Sequence, residues 1–347
     1  MRVNEVVEIT KGKLLTTPSI AEFSRIICDV ERVQKGDLFI AKDIAQVPQA
    51  VAMGAYGIIC ANIHNINDGE LAWIMVEDLQ DCLTRLIRYK LLAKNITTIS
   101  LNPIEEAIAQ EIIIDERAKF FHNDLYAFIE LLNNEQISFI FTHNEHILEI
   151  SFEVIQAHKP KERPFLIISH TLFDSTIFYQ STHYRINLPK LFLNDLGAVV
   201  NLCENKGIEY SLNHFKHIPF FKPNFLNAFG KVIDYGQAAK VAIAEEDIEQ
   251  FKKYMAYIAN NATWGKLLFL VPDIYLELFN QIAQTFAYKT QEELYTYIHH
   301  NNFNFALILG IDDSTLVHTL NTNHKQILEP NLFSDIMEER YARKPEL

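Results

Sequence analysis

Three features of these 347 residues point to a multi-domain α/β protein. The length suits two or three domains of ordinary size. Hydrophobic residues make up 49% and charged residues 22%, enough apolar surface for full cores and too much for a disordered chain. Short β-rich runs alternate with helical periodicity along most of the sequence, which implies helices layered on sheets.

The elements follow in order. Arg25 to Asp29 is a short strand, and Val33 to Ala41 is a turn followed by a buried apolar run. Gln46 to Met53 forms a helix that stops at Gly54, and Gly57 to Ala61 and Trp73 to Val76 are strands. Asp78 is placed to cap a helix over Leu79 to Ala93, in which Leu79, Cys82, Leu83, Leu86, Ile87 and Leu91 form one apolar stripe. A second unit opens with a strand at Ile96 to Ser100, and Pro103 sits where the helix Ile104 to Ile113 begins. Leu125 to Leu132 is helical, and Ile137 to Thr142 and Phe165 to Ser169 are β-rich.

The last unit repeats the pattern more cleanly. Lys240 to Ala244 is a strand, Asp247 to Asn260 a helix, Leu267 to Val271 a strand and Ile274 to Phe286 a helix. Thr290 caps a helix over Glu292 to Asn301, and Asn304 to Leu309 is a fully buried strand. The polar tail from Pro330 to Leu347 is expected to fray.

Composition removes several functions. A net charge of −13 opposes nucleic-acid and anionic-membrane binding. No apolar stretch approaches the ~20 residues of a membrane span, and Glu5 interrupts the place of a signal peptide's apolar core, so a cytoplasmic protein is expected. Cys28, Cys60, Cys82 and Cys203 form no C-x-x-C pair and read as buried hydrophobes. There is no G-x-S-x-G, no H-E-x-x-H, and no G-x-G-x-x-G after a strand. His143-x-x-His146 and His214-x-x-His217 would converge on a helix but diverge on a strand; both fall in segments read as strand or loop, so no metal site is expected.

Gly36-Asp37-Leu38-Phe39-Ile40-Ala41, then Ala50-Val51-Ala52-Met53-Gly54-Ala55-Tyr56-Gly57-Ile58-Ile59, then Val76-Glu77-Asp78-Leu79 resemble, in order and spacing, the opening domain of the Mur ligases. Those are ATP-dependent enzymes that add amino acids to the UDP-linked peptidoglycan precursor. The resemblance implies a Mur-ligase-like N-terminal domain over 1–95, a degenerate central domain over 96–230 and a C-terminal α/β domain over 231–347. It also implies that Asp29, Arg32 and Lys42 are remnants of a substrate site. Where the family carries D-S-R, this chain has Asp29-Val30-Glu31, with Arg32 one residue late, and Asp43 to Pro48 forms a shortened loop in place of a D-G-H segment. Where the family carries a glycine-rich ATP loop, the sequence reads Ser100-Leu101-Asn102-Pro103-Ile104-Glu105-Glu106, with no glycine and two acids in place of the lysine and hydroxyl. His146 to Ser151 echoes the family's E-x-S segment and otherwise reads as a strand end.

ATP use by the family mechanism is therefore not expected, nor is any cofactor. The implied function is a non-catalytic protein that binds a partner or precursor in cytoplasmic peptidoglycan synthesis, its partners being proteins of that pathway or a UDP-linked precursor. The alternative is an enzyme on the same scaffold with a relocated, ATP-independent site, near Glu149 or at Glu245-Glu246-Asp247; as plain structure, those three acids cap a helix. The segment Phe215 to Phe229 is too aromatic for a solvated loop. It reads either as an inter-domain core or as a partner-binding patch formed by Phe220, Phe221 and Phe225, with Lys216 and Lys222 at its rim.

Overall fold

A computed structural model describes residues 1–62, 66, 68–159, 161–227, 230, 232–233, 238, 240–279 and 284–322. The chain divides into two compact units, one of residues 1–165 and 194–215, the other of 166–193 and 216–347.

The first unit contains two sheets. Strands β1 (Lys13–Leu14), β2 (Ile26–Ile27), β3 (Leu38–Ile40), β4 (Gly57–Cys60) and β5 (Ala72–Met75) lie in the order β1-β5-β4-β3-β2, and only the β1 edge is antiparallel. Gly36 (φ 98°) and Gly54 (φ 97°) adopt the left-handed conformations that bring the chain into β3 and β4. Asp37, 1% exposed, receives a two-point contact from Arg25 (3.0 and 2.6 Å) and the Gln34 N–H (2.8 Å), so the acid of this turn is a structural clamp. Leu38 and Ile40 enter one apolar cluster, while Phe39 and Ala41 enter another on the opposite face. That is the two-sided burial expected of a covered parallel strand.

The second sheet is all parallel. It comprises β6 (Thr97–Ser100), β7 (Ala118–Phe120), β8 (Phe139–Phe141) and β9 (Val154–Gln156), ordered β7-β8-β6-β9. Helix α1 (Val3–Thr10) and helix α2 (Val47–Ala52) belong to the first sheet's region. Helix α3 (Leu79–Ala93) is capped by Asp78, which accepts from the Gln80 and Asp81 N–H groups. Its Cys82, Leu83, Leu86, Ile87 and Leu91 share one core with Phe128, Ile129 and Leu132 of the α5 region (α5, Leu125–Leu131). Between them in sequence lies α4 (Pro103–Ile112).

Two expectations fail here. His146 to Ser151 is not a strand end: Asn144 accepts from the His146 and Ile147 N–H groups and starts helix α6 (Glu145–Ile150). Asp43 likewise caps a 3-10 turn (Ile44–Gln46) that runs into α2, so this stretch is less loop than expected. Helix α7 (Leu193–Lys206) follows.

The second unit holds an antiparallel meander, β10 (Leu166–His170), β11 (Ser175–Tyr179) and β12 (Thr182–Ile186). Its main sheet has strands β13 (Asn224–Leu226), β14 (Lys240–Glu245), β15 (Leu267–Pro272), β16 (Gln284–Tyr288) and β17 (Phe305–Leu309) in the order β13-β14-β17-β15-β16. Only β13 is antiparallel. Helices α8 (Ile248–Asn261), α9 (Leu276–Phe279), α10 (Gln291–His300) and α11 (Asp313–Thr322) accompany it. The expected helix over Ile274 to Phe286 is a correction. Among the described residues of that span Leu276–Phe279 is α-helical, and Gln284–Tyr288 pairs as a parallel strand with β15. Over so short an apolar stretch helical and strand periods are hard to tell apart, and ladder pairing decides. Phe229 and the tail from Pro330 lie outside the described residues.

Candidate functional site

The residues that the resemblance singles out, Asp29, Arg32 and Lys42, lie near α5. Val30 is buried in the cluster with Phe39, so it packs in the retained fold. Asp29 caps the short 3-10 turn Val30–Arg32 by accepting from the Glu31 N–H. Glu130 of α5 then takes up the whole segment. One carboxylate oxygen accepts from the Cys28 and Asp29 N–H groups (2.6 and 2.9 Å), and the other from Arg32 Nη1 (2.6 Å). Next to it, Asn133 accepts from the Ile26 N–H and donates to the Ile26 carbonyl, imitating a strand partner on the free edge of β2. Lys42 reaches the N-terminal end of α5, 3.8 Å above the Tyr126 ring and 3.9 Å from Asp124. Asp29 and Arg32 are thus brought together by Glu130, while Lys42, which follows β3, contacts Tyr126 and Asp124 at the start of the same helix.

The loop after β6 is closed by its own side chains. Asn102 Oδ1 accepts from the Ile104 and Glu105 N–H groups (both 2.9 Å), and the Asn102 carbonyl accepts from the Glu106 N–H (2.9 Å). Glu105 returns a carboxylate to the Asn102 N–H (3.1 Å), and Pro103 has no N–H. Every donor that could cradle a phosphate at this helix start is therefore satisfied internally or absent. Both acids are buried, Glu105 at 5% and Glu106 at 8% exposure, and burial raises the Glu105 carboxyl above its usual range.

Glu106 gathers two histidines. Its Oε1 lies 2.6 Å from His122 Nε2 and accepts from Gln110 Nε2 at 3.1 Å; its Oε2 lies 3.2 Å from His143 Nδ1. The imidazoles stack with centroids 4.0 Å apart and planes within 13°. His122 follows β7, His143 follows β8, and Glu106 is in the first turn after β6. All three stand at the carboxyl ends of neighbouring parallel strands, where α/β sheets place their ligands.

In the second unit, Phe173, Phe220, Phe221, Phe225 and Pro189 line a cavity of about 550 Å³, with Asp174, Arg185 and Lys222 among its polar lining. Phe221 is 2% exposed, sits at φ 51°, and packs on Phe173, Tyr254 and Tyr257 at 5.8, 4.9 and 5.5 Å. Phe220 and Phe225 are half-buried. Arg185 pairs with Asp174 (2.9 Å) and Lys222 with Asp313 (2.7 Å).

No family model and no curated protein matches this sequence. Solved structures do. The chain is similar to MurF from Acinetobacter baumannii, with a TM-score of 0.54 and 10% identity over 94% of this chain and 99% of that one. It is similar to the UDP-N-acetylmuramoylalanyl-D-glutamyl-2,6-diaminopimelate--D-alanyl-D-alanyl ligase of the same organism, with a TM-score of 0.51 and 11% identity over 94% and 98%. MurF ligase from Thermotoga maritima, solved in complex with ADP, gives 0.50 and 11% over 91% and 98%. The chain has the Mur-ligase fold.

The two places named for a relocated site have these surroundings. Glu149 is exposed on α6. At Glu245-Glu246-Asp247, Glu245 accepts from the Asp247 N–H (2.9 Å) and Asp247 caps α8 through the Gln250 N–H (2.8 Å), as helix-start acids do. The Glu106, His122 and His143 grouping is absent from any sequence motif. Its one readable signal is that both histidines come two residues after a β-strand of the same parallel sheet.

Proposed function

We propose that this Mur-ligase-like protein acts as a binding component of cytoplasmic peptidoglycan synthesis and does not drive ligation with ATP. The observation that carries the reading is the loop after β6. Its helix-start N–H groups are held by Asn102, its own N–H is held by Glu105, and two buried carboxylates occupy the place of the missing lysine and hydroxyl. Like charges facing a triphosphate there would repel it by several kcal/mol in a partly buried setting, and the backbone N–H groups of the helix start are already engaged. Binding is assigned to the aromatic cavity of the second unit, whose size falls among ordinary ligand pockets and whose apolar floor carries a few charged groups. Its occupant is a protein of the pathway or the UDP-linked precursor.

The test is thermal unfolding with Mg-ATP, alongside ADP release in the presence of UDP-linked muramyl peptides. A ligand at a hundred times its Kd stabilises by about 2.7 kcal/mol, a readily measured shift. An unchanged midpoint and no ADP release are expected. An ATP-dependent rise or turnover would overturn the reading.

A further inference from the structure

Glu106, one of the two acids after β6 on which the proposed function rests, also joins His122 and His143 in a cluster that lies apart from the aromatic cavity in sequence and sheet. From its geometry we infer that it is a site for one divalent transition-metal ion of the zinc class, with an open coordination position toward solvent.

The donor set comes first. Two imidazoles and one carboxylate suit zinc and its first-row neighbours, whereas magnesium and calcium take oxygen ligands. The ligating atoms of the three side chains lie within 4.8 Å of one another, so an ion at ordinary bond lengths of about 2.0–2.2 Å is reached by side-chain rotation alone. Placement comes second. The ligands arrive from three different segments, at the carboxyl ends of the adjacent strands β7, β8 and β6, and only the sheet brings them together. Support comes third. Gln110, one turn along α4 from Glu106, donates to Glu106 Oε1 at 3.1 Å and fixes the carboxylate, as outer partners of metal ligands do.

Exposure sets the character of the site. Glu106 is 10% exposed at its side chain, His122 30% and His143 64%, so the cluster is anchored at its base and open at its rim. Three protein ligands with one free position is the arrangement that lets a bound ion take water or an anionic group. A loaded site would also carry net positive charge. An ion would thereby offset the local repulsion toward anions that the two acids create. The four cysteines are all buried, so no thiol competes for the metal in the folded protein.

The experiment is calorimetric titration of the full, chelator-stripped chain with Zn²⁺, with Mg²⁺ as comparison and Co²⁺ followed by visible ligand-field absorption. One Zn²⁺ per chain at micromolar affinity or tighter is expected, with a raised thermal midpoint and a Co²⁺ band. His143→Ala is expected to weaken Zn²⁺ binding by at least about tenfold. Its side chain is mostly in solvent, so this variant folds and the loss reports ligation. His122→Ala and Glu106→Gln are expected to do the same, with circular dichroism checking the fold of the buried-site variant. Absence of saturable binding, Zn²⁺ binding unchanged in His143→Ala, or Mg²⁺ binding as tight as Zn²⁺ would each overturn the inference.

Discussion

Glu130 and Arg32 meet at 2.6 Å, and the carboxylate that holds the arginine also holds the backbone N–H groups of Cys28 and Asp29. One α5 side chain thus fastens the segment that faces substrate in the resembling family. The Glu130 side chain is 8% exposed and Arg32 63% exposed, so the two ends of this contact differ in weight. Glu130→Ala strands two N–H groups and is expected to cost about 2–3 kcal/mol. Arg32→Ala removes only an exposed partner and is expected to cost under about 1 kcal/mol. Urea unfolding of both variants measures the difference, and equal losses would contradict this account.

Phe39 is fully buried in β3 with its neighbours Leu38 and Ile40 facing the opposite cluster. Phe39→Ala is expected to lower stability by about 3–5 kcal/mol, the cost of emptying a buried aromatic site. Asp29→Ala loses a cap on a single 3-10 turn and is expected to cost about 1 kcal/mol or less. Denaturant midpoints decide between them.

UDP-linked precursor is expected to bind more weakly than micromolar. Val30 points into the core and the Arg32 guanidinium is engaged by Glu130, so the polar contacts that a D-S-R segment offers are missing or already used. Each charge-assisted hydrogen bond lost is worth about 1.5–3 kcal/mol. Calorimetry with a UDP-muramyl peptide checks this, and submicromolar affinity would refute it.

The same residues show how far sequence reaches. Gly36, Asp78 and Pro103 are legible because turn and cap chemistry is local: a left-handed glycine, an acid accepting from two N–H groups, a proline at a first turn. The Asn102–Glu105 capping box after β6 is equally local, spanning four residues. The histidine cluster is not. Its members belong to three segments, and β7, which delivers His122, is three residues long and leaves no periodic trace. Gln284 to Tyr288 fails differently, because its strand identity comes from its ladder with β15 rather than from its own pattern.

Acid stability should depend on Asp115. Its carboxylate accepts from the Arg117 N–H (2.9 Å), Nε (3.0 Å) and Nη2 (2.7 Å) and from the Glu209 N–H (3.1 Å). The Arg117 side chain, followed by these backbone donors, outweighs burial and lowers the Asp115 pKa from 3.8 to about 2. A folded-state pKa below the unfolded value means that the unfolded chain binds the proton more readily between about pH 4 and pH 2. This group's stabilisation is therefore complete above pH 4 and is lost as pH falls toward 2. Asp115→Asn keeps the shape but cannot accept all four bonds as a charge, so it should be less stable than the natural chain at neutral pH. The gap between the two thermal midpoints should then close as pH drops from 4 to 2, because the natural carboxyl is neutralised there and the amide has nothing to lose. A gap that stayed constant across that window would mean that Asp115 contributes through packing alone, and the network joining Asp115 to Arg117 and the Glu209 N–H would carry none of the fold's acid sensitivity.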